Sequence, residues 1–142
     1  MAASAFNLYN SAKKYLLNGT LDLDTDVVKG YLYKSTSNAS TFTLSTLASV
    51  TNPVSGGGYT GAKQLTSIAI TTGASAKQIK FDAADLVYTA SSGNIGSACF
   101  LVIGESGGKL LCWSKLSTGA FTVTTGNTLT VQFNSAGIFT IA

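Results

Sequence analysis

The sequence predicts a mainly β chain: a jelly-roll-like β-sandwich with one N-terminal α-helix, folded as a single domain over residues 1–142. Three observations predict it. From Leu21 onward, short apolar runs recur at close spacing, separated by Gly, Ser, Thr and Asn, the pattern of an all-β sandwich or barrel. The run Ala98-Cys99-Phe100-Leu101-Val102-Ile103 is apolar at both alternating positions, as in a strand covered on both faces. Helical periodicity is confined to the first residues, and no linker or long repeat divides the chain.

The elements follow in chain order. Ala5, Tyr9, Ala12 and Leu16 recur at helical spacing and Asn18-Gly19 supplies a stop, so a helix is predicted over 4–17. Lys13 and Lys14 suit the negative end of its dipole. Its apolar stripe has two possible destinations, its own sheet or a neighbouring subunit. Asp22-Leu23-Asp24-Thr25-Asp26 resembles the first half of a calcium loop. It departs at the sixth position, Val27, where Gly is needed, and at the twelfth, Tyr33, where a bidentate Glu is needed. The expectation is a solvated acidic loop, with a weak cation site at Asp22, Asp24 and Asp26 as the alternative.

A first strand is predicted over 27–33. Residues 42–50, with Leu44 and Leu47 three apart, read as a short helical turn or an irregular excursion before the break at Asn52-Pro53-Val54-Ser55-Gly56-Gly57-Gly58. Further strands are predicted over 62–71, 78–82, 86–89, 95–104, 109–116, 120–124, 128–133 and 137–141. Thr122, Thr124, Thr128, Thr130 and Gln132 alternate with Val123, Leu129, Val131 and Phe133, so these strands put one face in the core and the other outside.

Cys99 and Cys112 are the two cysteines. With Gly107-Gly108 as a two-residue hairpin turn, paired residues sum to 215, so Ile103 faces Cys112 and Cys99 faces Leu116. The two sulfurs then lie four residues apart along the ladder, about 13 Å at strand rise, beyond disulfide reach. Both are expected as buried, reduced thiols.

Composition excludes most chemistry. The chain has no histidine and no arginine, which removes Ser-His-Asp and Cys-His schemes and most zinc sites. Ser11-Ala12-Lys13-Lys14 has the Ser-x-x-Lys spacing of acyl-transfer enzymes, without a Ser-Asp-Asn or Lys-Thr-Gly companion. In Gly56-Gly57-Gly58-Tyr59-Thr60-Gly61-Ala62-Lys63, Ala62 stands where a phosphate loop needs Lys and Lys63 where it needs Ser or Thr. That segment reads as a glycine turn anchored by Tyr59. No enzyme activity, cofactor or resident metal is expected. Nine lysines against six acids give a net charge of +3. With one basic doublet and no arginine they form no nucleic-acid footprint. The first residues lack a signal-peptide pattern and no apolar run reaches the length of a membrane span. The triplets Asn18-Gly19-Thr20 and Asn38-Ala39-Ser40 fit the glycosylation pattern but carry no weight without a secretory signal. Only 11% of residues are charged, so a Ser-, Thr- and Gly-rich surface can be buried against a partner at small desolvation cost.

Several short motifs together resemble a family of small tailed-phage virion proteins. They are the segment 9–32, with its Asn18-Gly19 stop, its acidic step over 21–26 and the Lys29–Leu32 pattern; the Gly58-Tyr59-Thr60 turn; Phe81-Asp82-Ala83-Ala84-Asp85; and Phe133-Asn134-Ser135-Ala136-Gly137-Ile138-Phe139-Thr140. The sequence departs from the family pattern at Ala84, where many relatives carry Asp, and at Phe133, where many carry Trp. In size and character it is similar to capsid cement or decoration proteins of short-tailed, Bordetella-type phages. The resemblance implies a non-enzymatic homodimer, made in the host bacterial cytoplasm, that binds the major capsid protein on the head exterior. A neck or minor tail component is the alternative within that class, and a carbohydrate-binding β-sandwich module the alternative outside it. By the rule that loops and termini are free to dock, the expected contact residues are Phe6, Leu8, Tyr9, Phe42, Leu44, Leu47 and Tyr59.

Overall fold

The computed structural model describes the whole chain, Met1–Ala142. It is mainly β with one short helix. The elements are β1 (Asn7–Leu8), α1 (Asn10–Leu17), β2 (Val28–Lys34), a 3-10 turn (Leu47–Ser49), β3 (Lys63–Gln64), β4 (Ala69–Thr72), β5 (Ile79–Asp82), β6 (Leu86–Thr89), β7 (Ile95–Glu105), β8 (Leu110–Lys115), β9 (Phe121–Val123), β10 (Thr128–Val131) and β11 (Phe139–Ile141). All ladders between them are antiparallel. The sheets are unequal, not the paired four-stranded sheets of a regular jelly roll: six strands in the order β1-β8-β7-β2-β3 with β9 also on β7, a β10-β6 ladder, and a β11-β5-β4 sheet.

The long β7 sits at the centre, as its two apolar faces require. Opposed residues share a face, so register divides the large sheet. Leu101 and Ile103 lie with Leu32, Gly30, Ser114 and Cys112 on one face, and Phe100 and Val102 with Tyr33, Tyr31, Lys115 and Trp113 on the other. The first face packs on β6: Tyr88 is buried and its hydroxyl donates to the Gly30 carbonyl at 2.7 Å, and a Cβ at Gly30 would run into Leu86. This gives sandwich-like packing of ladder on sheet. The second face is covered by the excursion between β2 and β3. That segment is pinned to β2 by the Tyr33–Pro53 bridge and to the foot of β8 by the Thr46–Lys109 bridge, and it buries Ala39, Val50 and Val54.

Three expectations are corrected. The helix spans Asn10–Leu17, not 4–17, because residues 7–8 instead pair with the β8 edge, Asn7 opposite Trp113 and Leu8 opposite Cys112. Strand backbone there satisfies amides of β8 that a helix would leave open. The run expected over 62–71 divides into β3 and β4, which belong to different sheets, with Ser67 at φ 52° between them. The β7–β8 connection is not a two-residue turn: Gly108 N–H bonds to the Glu105 carbonyl and Glu105 N–H to the Lys109 carbonyl, both at 2.8 Å. The register still reaches Ile103 opposite Cys112, because a bulge after Gly104 opposite Leu110 adds the missing residue. Both cysteines are buried free thiols.

Candidate interaction surface

Six of the seven residues expected to dock are partly or fully occupied inside the fold. Residues 1–8 form an arm that closes two sheet edges. Ala3 N–H bonds to the Gln132 carbonyl and Gln132 N–H to the Met1 carbonyl beyond β10. Ser4 and Ser114 share a hydroxyl–hydroxyl bond of 2.9 Å, and Ser114 also donates to the Ser4 carbonyl. Phe6 packs on Phe133 with ring centroids 5.7 Å apart. Tyr9 must be removed from the contact set: it is 0% exposed, its N–H bonds to the Leu111 carbonyl, and its hydroxyl donates to the Ala39 carbonyl at 2.6 Å. Leu8 is half-buried.

Leu44 and Leu47 are also half-buried, packed on the core by the excursion, with Leu47 over Gly104. Tyr59 is half-buried against Tyr88, and its hydroxyl accepts the Leu32 N–H at 3.3 Å, closing the β2 edge where β3 has ended. Phe42 alone remains open, 46% exposed, with its ring 5.9 Å from Trp113. It is also the one exposed residue among the aromatic side chains, the rest being half-buried or buried.

The acidic step folds as a self-contained turn. Asp26 Oδ2 accepts the Asp22 N–H at 2.8 Å and Asp22 Oδ1 accepts the Asp24 N–H at 3.0 Å. The two carboxylates thus serve their own backbone, and no cluster of three or more metal-ligating side chains forms.

The apolar surface lies elsewhere. A groove of about 290 Å³ between α1 and β11 is lined by Leu8, Lys13, Leu16, Leu17, Thr140 and Ile141. Leu17 is 89% exposed and Ile141 51%. Ile141 stands opposite Ile79 in the β11–β5 register, and Ile70 lies on the same face of β4, two residues along from the partner of Ile79; both isoleucines are about half exposed. Phe81 and Phe139, 5.2 Å apart, are buried on this face, with Ile70 opposite Phe81 on the outer strand and Ile79 and Ile141 extending beyond the phenylalanines. Lys13 is the only charged residue in the groove. Sequence reasoning missed this patch, although one signal was present: Leu17 follows Leu16 but falls off the helical stripe, an apolar residue with no place in its own core.

Two motifs behind the family resemblance meet in one packing unit. Asp85 Oδ1 accepts the Phe133 N–H at 2.9 Å, the Phe81 carbonyl accepts the Ile138 N–H at 2.8 Å, and Phe81 pairs with Phe139. Comparison with protein-family models, with curated proteins and with solved structures finds no match. No helix is long and apolar enough to cross a membrane.

Proposed function

We propose that this protein is a non-enzymatic assembly subunit, a cement or decoration protein that docks as a homodimer on the major capsid protein at the exterior of a tailed-phage head. The observation that carries an assembly role is the apolar band of Leu16, Leu17, Ile141, Ile79 and Ile70 on a surface otherwise rich in Thr, Ser and Gly. Contiguous exposed apolar area of this kind marks protein contact, and a sparsely charged surround costs little to desolvate. The virion assignment is supported by the motif resemblance alone. An interface of standard size, about 1,600 Å², repeated over a shell would resist internal pressure through many modest contacts acting together.

Co-sedimentation with isolated empty heads tests the reading. Binding to heads supports it; co-purification with tails and no binding to heads moves the protein to the neck or tail. Within the head reading, Leu17→Lys with Ile141→Lys should abolish co-sedimentation. Because both side chains are exposed, folding stability should change by no more than about 0.5 kcal/mol. Unchanged binding would show that another surface docks.

A further inference from the structure

We propose that Asn18-Gly19, at the C-terminal end of α1, is a self-modification site at which the folded chain deamidates to aspartate and isoaspartate. The reaction needs only water. The Gly19 backbone nitrogen loses its proton and attacks the Asn18 side-chain carbon, ammonia leaves, and the resulting succinimide ring takes up water at either carbonyl. One opening gives Asp and the other isoaspartate, which carries an extra methylene in the backbone.

Four features of this position favour that sequence. Gly19 N–H has no acceptor, whereas its neighbours do: Asn18 N–H bonds to the Lys14 carbonyl and Leu21 N–H to the Tyr15 carbonyl. The attacking nitrogen is therefore free to lose its proton. Thr20 N–H donates to Asn18 Oδ1 at 3.0 Å, polarising the carbonyl under attack and placing a donor where negative charge develops. The Asn18 amide nitrogen, the leaving group, is held by no hydrogen bond within the chain, and the residue is exposed. Ring closure requires Asn18 to turn from its present ψ of 4°. Gly19, at φ 73° with no atom within 4 Å of where a Cβ would stand, leaves room for that rotation.

No other asparagine is followed by glycine. Asn134 shares the turn, its Oδ1 accepting the Ala136 N–H at 2.8 Å, but it precedes Ser135, whose side chain crowds the attacking nitrogen. Asn52 precedes Pro53, which has no N–H to give up, and Asn38 is held at both ends, by Thr51 N–H on Oδ1 and by the Ser49 carbonyl on Nδ2. Asn94 and Asn127 precede the side-chain-bearing Ile95 and Thr128 and bond to Thr125 and Thr124. The product has a consequence for the apolar groove. A carboxylate at residue 18 stands at the negative end of the α1 dipole and next to Leu17, where it weakens the last turn and charges the rim of the apolar band.

The test is to incubate the folded protein in warm, mildly alkaline buffer beside the same protein in urea. Peptide mapping and labelling with an isoaspartyl methyltransferase then follow each asparagine. In the folded sample the peptide holding Asn18 should convert first, with isoaspartate as a substantial product, and Asn38, Asn94 and Asn127 should stay intact. Conversion of Asn18 in urea with none in the folded chain overturns the proposal, because the folded C-cap would then be protective. Earlier conversion at another asparagine of the folded chain also overturns it.

Discussion

Gly57, Gly58 and Gly93 let two turns meet backbone to backbone. A Cβ on Gly58 would fall on the Gly93 carbonyl, and one on Gly57 on the Asn94 carbonyl, while Gly58 N–H bonds to Asn94 O at 2.9 Å. Gly58→Ala should therefore cost about 1–3 kcal/mol by overpacking against backbone that cannot rotate away, measured by urea denaturation; a change near zero would mean that the two turns separate freely. Tyr88→Phe removes the donor to a buried carbonyl, Gly30 O, and should cost about 1–3 kcal/mol in the same assay. The buried tyrosines also set an alkaline limit. Burial raises the phenol of Tyr33 to about 12 and pushes Tyr9 and Tyr88 higher still. In the unfolded chain these phenols ionise near pH 10, so above that pH the unfolded state binds fewer protons. Their contribution is whole below pH 10 and is lost as pH rises from 10 through 12. Phenolate absorbance should accordingly appear together with unfolding, and Tyr9→Phe, though it loses the bond to the Ala39 carbonyl, should make the fall of stability above pH 10 shallower.

At the scale of the element, the N-terminal arm is a strap. It adds backbone to the open edges of both β8 and β10 and sets Phe6 on Phe133. Phe6→Ala should cost about 2 kcal/mol, the worth of a large apolar side chain leaving its packing. Removing residues 1–6 should do more, exposing strand edges that promote association, visible as a higher-order species in light scattering. The excursion over 35–54 is likewise a lid, because it buries Ala39, Val50 and Val54 and sets Leu47 over Gly104. The Cys99 and Cys112 thiols are fully buried, Cys112 on the sheet face opposite the lid, and burial raises Cys112 well above the ordinary thiol range. A thiol reagent should react with both only as fast as the chain unfolds; rapid labelling of native protein would show that the core opens locally.

For the whole molecule, long-range strand pairing dominates. The arm reaches residues more than a hundred positions away, Ser4 to Ser114 and Ala3 to Gln132, so slow folding is expected from loop-closure entropy. Strand positions were legible because alternation and turn residues are local: β5, β6, β7, β8 and β10 fall within a few residues of where periodicity puts them. The exposed apolar band was not. Whether Tyr9 or Leu17 faces water depends on what packs beside them, and both are apolar residues near the same helix.

By itself the sequence determined the β-rich class, the single helix with its Asn18-Gly19 stop, the central double-faced β7, and the lack of histidine chemistry. Each depends on residue type and spacing within one segment. Tertiary structure alone decided that the N-terminal residues become sheet, that the excursion is a lid, and that the exposed apolar band runs from Leu17 to Ile70 across α1, β11, β5 and β4. Burial is a property of pairs of segments distant in the chain, and local periodicity carries no information about which partner arrives.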